Sequence, residues 1–210
     1  MLRIYKVNEY KVNEPMTVAT DRRMTLKEFL TYDDGTDRRY ELVDGVLVEM
    51  GAENPLNPQI ASFLVSIFFQ LGIPIYRLVI GHQVGISATS ATARQPDLIV
   101  HSEASDIAIM QDGKFLQFDA PPPILLVEIV SSSDTDKKSR DRDYIDKRSE
   151  YAARGIPEYW IIDPIRGTIL ILILQDGRYV GPTLMGDQSI VSPSFPTMNL
   201  TVSQVFSAGR

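Results

Sequence analysis

The chain has 210 residues, 44% hydrophobic and 23% charged, which suits one globular domain able to bury a core. It has no cysteine and two histidines, which excludes disulfides, thiolate zinc sites and cysteine nucleophiles. A net charge of −6 argues against broad, nonspecific affinity for nucleic acid while permitting a local basic surface.

The first twenty residues lack the continuous apolar core of a signal peptide. The greasiest region, 60–80, is broken by Gln70, Gly72, Pro74 and Arg77 and does not read as a membrane span. A soluble, cytoplasmic protein is the expectation. Residues 1–23 are polar and weakly patterned, an arm preceding a single domain over 24–210.

Residues 24–30 predict a short helix, with Thr25 as N-cap and Glu28 completing a capping box. A turn follows at 33–36. The Asp44-Gly45 dipeptide between strand-like runs at 39–43 and 46–50 is the strongest hairpin signal in the chain. Over 57–71, apolar residues at Ile60, Phe63, Leu64, Ile67, Phe68 and Leu71 have helical spacing and predict a core helix, ended by Gly72 and Pro74. Strands are expected at 75–80, 83–87 and 97–101, then a loop region over 102–121 with a turn at Asp112-Gly113.

The run 124–130 is almost wholly apolar and does not alternate, as a strand covered on both faces should not. Glu128 stands inside it. Desolvating an unpaired carboxylate costs several kcal/mol or more, so this residue needs a partner, and a metal ion is one candidate. A helix is expected over 136–154, stopped by Gly155 and Pro157, followed by strands at 158–163, 168–174 and 178–184 and a short turn or helix at 202–206. Such an order of elements reads as an α/β fold, a sheet with helices on its faces.

Four charged positions stand out on this layout: Glu41 in the first hairpin strand, Asp97 after Pro96 at a strand start, Glu128, and Lys147 on the following helix. Arg140, Tyr144, Lys147 and Tyr151 are spaced four, three and four and so share one helical face. The stretch 134–148 holds six basic and five acidic residues, so a basic stripe can face a phosphate without making the protein basic. Carboxylates converging on a divalent cation, with a lysine nearby, are what phosphodiester hydrolysis requires. Each position also has a plainer reading. Asp97 fits a strand-start turn, Glu41 a cross-strand ion pair, Lys147 an exposed helix, and Tyr144 and Tyr151 packing. For Glu128 the plain reading is a buried salt bridge, which Lys147 itself can supply. Asp163 before Pro164 reads as a turn residue, and His82 and His101 are given no role.

The segments Arg39-Tyr-Glu-Leu-Val-Asp-Gly45, Gln95-Pro-Asp-Leu-Ile-Val100, Leu126-Val-Glu-Ile-Val-Ser131, Lys147-x-x-x-Tyr151 and Gly155-Ile-Pro-Glu-Tyr-Trp-Ile-Ile-Asp-Pro164 resemble, in order, the Uma2 family, also called DUF820. The family is placed in the PD-(D/E)xK nuclease superfamily. This resemblance implies a restriction endonuclease-like α/β fold with a mixed central β-sheet flanked by helices, and a Mg²⁺- or Mn²⁺-dependent phosphodiesterase site. Asp97 and Glu128 match metal ligands, and Glu41 matches an acidic residue contributed by the N-terminal part. The superfamily lysine expected two residues after Glu128 is Val130 here, and Lys147 is the replacement from the next helix.

The function expected from this resemblance is a metal-dependent DNA endonuclease, with Glu41, Asp97 and Glu128 holding the metal and Lys147 assisting the attacking water. By analogy with enzymes that cut both strands of a duplex, a homodimer is expected. The alternatives are a noncatalytic nuclease-fold protein that binds nucleic acid or protein, and a metal-dependent nucleotide hydrolase on the same scaffold.

Overall fold

The computed structural model describes residues 23–50, 54–87, 92–113, 115–131, 142–208 and 210. The arm expected over 1–23 falls almost wholly outside them. The helices are α1 (Leu26–Leu30), α2 (Leu56–Gln70), α3 (Glu103–Asp112), α4 (Lys147–Ala153) and α5 (Val202–Ser207). The strands are β1 (Tyr40–Val43), β2 (Val46–Glu49), β3 (Leu78–Val79), β4 (Gln83–Ser87), β5 (Thr92–Arg94), β6 (Leu98–Val100), β7 (Phe115–Leu116), β8 (Leu125–Ile129), β9 (Glu158–Asp163), β10 (Thr168–Gln175), β11 (Arg178–Val180) and β12 (Thr183–Met185).

These strands form two mixed sheets. A seven-stranded sheet runs β11-β10-β9-β8-β6-β3, with β12 also on β10, and is antiparallel except for the β8–β9 pair. A five-stranded sheet runs β2-β1-β5-β4-β7, antiparallel except for β4–β7. The α/β class and the helix-flanked mixed sheet expected from the sequence are present, and the second sheet is an addition to that expectation. Among the described residues no helix is long and apolar enough to cross a membrane.

Alternation along β8 decides what each face of the large sheet meets. Leu125, Val127 and Ile129 join Leu64 and Phe68 of α2, Trp160, Ile162, Ile171 and Val205 in one core. Leu126 and Val130 point the other way, into a second core with Tyr151, Tyr159, Ile161 and Leu172. Fully burying one such aliphatic side chain is worth about 1.5–3 kcal/mol. Glu128 shares the parity of Leu126 and Val130, so its carboxylate faces the side covered by α4. Under the small sheet, Phe29, Tyr40, Leu42, Leu47, Ala93 and Phe115 form a third cluster.

Local chemistry explains the elements read correctly. Thr25 accepts from Glu28 N–H, and the Glu28 carboxylate accepts from Thr25 N–H at 2.8 Å, closing the capping box of α1. The hairpin turn places Asp44 and Gly45 at φ of 49° and 77°, the left-handed pair that two-residue hairpins need.

Other expectations are corrected. The loop region 102–121 contains α3, whose Ile107 and Met110 face solvent while Ile109 is buried, so no apolar stripe announces it. Its signals are its caps: Ser102 Oγ accepts from Ser105 N–H at 3.0 Å, and Gly113 ends it at φ 79°. The strand expected over 75–80 is a 3-10 turn, Ile75–Arg77, leading into the two residues of β3. Only Leu98–Val100 of the stretch 97–101 is strand, and the three residues of β5 had no strand expectation. The run 178–184 is two strands that pair with β10 in one continuous register and are interrupted at Gly181-Pro182, where the proline has no N–H for the ladder and a Cβ on residue 181 would overlap the Ile171 carbonyl oxygen. The described part of the helix expected over 136–154 is a π-helical turn, Arg142–Asp146, followed by α4.

Candidate active site

Strand pairing brings the acids together. β6 and β8 pair antiparallel with Leu98 opposite Val127, so one step further Asp97 stands opposite Glu128 on the same face. The backbone N–H of Ile129 donates to Asp97 Oδ2 at 2.6 Å, closing the strand end. In the other sheet Leu42 pairs with Ala93, so Glu41 stands opposite Arg94, and Arg94 Nη1 donates to Glu41 Oε2 at 3.1 Å. The backbone N–H of Gln95 donates to Glu41 Oε1 at 3.1 Å.

One face of α4 meets these acids. Lys147, Glu150 and Tyr151 are at i, i+3 and i+4, which places them together on the helix surface. Lys147 Nζ lies 2.8 Å from Glu128 Oε2 and 3.6 Å from Glu41 Oε1. Tyr151 Oη donates to Glu128 Oε1 at 2.6 Å. Glu150 receives Arg94 bidentately, Nε at 2.8 Å and Nη2 at 2.7 Å. Of the four positions singled out from the sequence, Lys147 joins Glu41 and Glu128 directly, and Asp97 stands opposite Glu128 by strand register.

Burial gives these contacts their strength. Glu41, Arg94, Glu128, Lys147 and Tyr151 are each at most 4% exposed, so solvent screens their charges weakly. Asp97 and Glu150 are partly exposed. Burial raises the Tyr151 pKa well above its ordinary value, and the neighbouring Glu128 charge adds to this, so the phenol stays a donor. For Arg94, burial acts against the charge but is outweighed by the hydrogen-bonded Glu150 and by Glu41, and the net shift is upward.

Tyr144, expected on the same face, leaves it. The π-helical turn carries more residues per turn than an α-helix, so the spacing from 144 to 147 no longer repeats the face. Tyr144 Oη instead donates to Asp163 Oδ2 at 2.8 Å, and Arg140 lies outside the described residues. Asp163 is the turn residue its sequence context indicated: Oδ1 accepts from the N–H groups of Ile165 and Arg166 at 3.1 and 3.0 Å. Two members escaped the sequence reading, Arg94 and Glu150. Arg94 follows only Thr92 and Ala93 in its strand, and a three-residue strand offers too little apolar pattern to expose a buried charge as the run 124–130 exposes Glu128.

The donor set suits a hard cation, since it consists of carboxylates with no thiolate or imidazole among them. Asp97 and Glu128 are the adjacent pair. As arranged, both Glu128 oxygens accept from side-chain donors, and among the described residues no three His, Cys, Asp or Glu are grouped so that they could hold a metal ion.

Comparison with known proteins bears on the family and the fold. A model of the Uma2 family, described as "Putative restriction endonuclease", matches residues 26–203. The fold is similar to a crystal structure from Anabaena variabilis ATCC 29413 described as "a putative nuclease belonging to DUF820", with a TM-score of 0.68 and 18% identity. That similarity covers 89% of this chain and 99% of the other, and at this identity it speaks for the fold. No curated protein matches the chain. A family match spanning most of the chain settles its membership: the protein belongs to the Uma2 family.

Proposed function

We propose that the protein is a metal-dependent endonuclease that hydrolyses phosphodiester bonds in DNA, with Mg²⁺ or Mn²⁺ as its cation. The observation that carries this reading is the juxtaposition of Asp97 and Glu128 across one pair of strands, with the Lys147 amine 2.8 Å from Glu128. Asp97 and Glu128 are the residues that would hold the cation.

A bound divalent cation polarises a phosphoryl oxygen and lowers the pKa of bound water. The chain's own groups divide the remaining work. Glu128 supplies a carboxylate whose orientation Tyr151 fixes. Lys147, released from Glu128, supplies a positive charge on a flexible stem for the attacking water or for charge that develops on the phosphate. Partial exposure of Asp97 and Glu150 gives a phosphate its approach. An enzyme that cuts both strands of a duplex would act as a pair of chains.

A second reading has its own support. Each oxygen of Glu41 and Glu128 accepts from a protein donor or lies beside one, as expected of a closed structural network in a noncatalytic nucleic acid- or protein-binding member of the fold. Incubation of supercoiled and single-stranded DNA with pure protein and Mg²⁺ or Mn²⁺ separates the two. Cutting that disappears in Asp97→Ala and Glu128→Ala supports the nuclease. Absence of cutting under all these conditions favours the binding protein.

A further inference from the structure

Arg94 is fully buried in β5 and divides its guanidinium between two acids. Nε and Nη2 clasp Glu150 at 2.8 and 2.7 Å, and Nη1 reaches Glu41 Oε2 at 3.1 Å. A guanidinium does not lose its proton in proteins, and a bidentate clasp fixes its plane, so Nη1 is held toward Glu41. The second oxygen of Glu41 is held by a backbone group, the Gln95 N–H, immediately before Pro96. Glu41 is therefore gripped by two donors that cannot swing away.

Glu128 is held differently. Each of its oxygens meets the tip of a side chain, Lys147 or Tyr151, on one turn of α4, and the lysine stem has four rotatable bonds. Asp97 and Glu128 also share one sheet, whereas Glu41 belongs to the other. Turning Glu41 toward a cation would leave a buried guanidinium with one acid fewer, a costly loss of compensation.

We infer that Glu41 is not a metal ligand. Pinned by Arg94 and the Gln95 amide, it is the fixed anchor that keeps the Lys147 amine beside Glu128, with Arg94 and Glu150 as positioning residues. The inference rests on the nuclease reading of the site and assigns a role within it. Lys147 lies 3.6 Å from Glu41, so when the amine leaves Glu128 it remains tethered over the adjacent acids.

Two measurements on the full chain test this. The first is Mn²⁺ binding by calorimetry without DNA. Glu41→Gln is expected to stay within about threefold of the wild-type Kd, whereas Asp97→Asn and Glu128→Gln each weaken binding roughly tenfold or more. A loss in Glu41→Gln equal to that in Glu128→Gln overturns the inference. The second is acetylation of Lys147 by an amine-reactive ester in metal-free protein, followed by mass spectrometry. Glu41→Gln and Glu41→Asp are expected to raise the rate of labelling several-fold, and an unchanged rate overturns the inference. Glu41→Asp retains the charge facing Arg94, so it remains informative where Glu41→Gln does not fold. A wild-type chain that binds no Mn²⁺ removes the nuclease reading, and the labelling experiment then decides the anchoring role by itself.

Discussion

Lys147 Nζ and Glu128 Oε2 are 2.8 Å apart at a site where both side chains are almost fully buried, so each is the main counter-charge of the other. This contact joins the central strand of the large sheet to the helix that follows it. Breaking such a pair from one side strands a charge. Lys147→Met is expected to destabilise the fold by about 3–5 kcal/mol, and Glu128→Gln by a comparable amount. The double variant should cost clearly less than the sum of the two. Denaturant midpoints of the four proteins form the cycle that measures this, and strict additivity would contradict a direct pair.

Loss of either member of the Asp97–Glu128 pair should reduce DNA cleavage by about 10²-fold or more, because the cation's contribution to charge stabilisation amounts to several kcal/mol. The measurement is nicking of supercoiled DNA in Mn²⁺ by Asp97→Asn and Glu128→Gln. Chelation of the wild-type protein should produce the same loss, and excess Mn²⁺ should reverse it.

Tyr151→Phe removes the hydroxyl that donates to Glu128 Oε1 and leaves the ring packed 5.0 Å from Tyr159. Hydrogen bonds to charged groups contribute about 1.5–3 kcal/mol, so a stability loss in that range is expected. Thermal unfolding of the metal-free protein provides the test. A shift of Tm within experimental scatter would mean that Glu128 keeps its orientation without the phenol.

His101 introduces an acid sensitivity away from the candidate site. Its ring is buried, with Nδ1 3.0 Å from Ser105 Oγ and Nε2 without a hydrogen-bond partner among the described residues. Burial, then the nearby His82 and Arg77, lower its pKa from 6.5 to about 4. The unfolded chain therefore binds a proton between these values while the folded chain does not. The resulting stability is fully present above pH 6.5, declines as pH falls, and is exhausted near pH 4. Across this window the contribution is on the order of 3 kcal/mol. Urea midpoints from pH 7 to pH 4 should fall less steeply in His101→Phe than in the wild type, and parallel slopes would refute the assignment.

Local chemistry made several features legible in the sequence. The Thr25–Glu28 capping box, the Asp44-Gly45 turn and the apolar spacing of α2 each need only neighbouring residues, so the elements form where the pattern places them. The anomaly of Glu128 was equally plain, because an acid within an apolar run has to be compensated wherever the strand ends up. Asp97 and Lys147 joined it through spacing and family resemblance. Elements without an apolar pattern were hidden: α3 exposes Ile107 and Met110, and β5 is three residues long.

What only the tertiary structure decided is how these charges combine. Strand register set Glu41 opposite Arg94 and Asp97 opposite Glu128, although each pair comes from separate parts of the chain. The π-helical turn before α4 removed Tyr144 from the site and kept Lys147, Glu150 and Tyr151 in it. The sequence by itself determined that Glu128 would need a partner. Packing of one helix over two sheets decided that a lysine and a phenol share it, because the distances over which buried charges compensate one another are a few ångströms, and only the folded chain sets them.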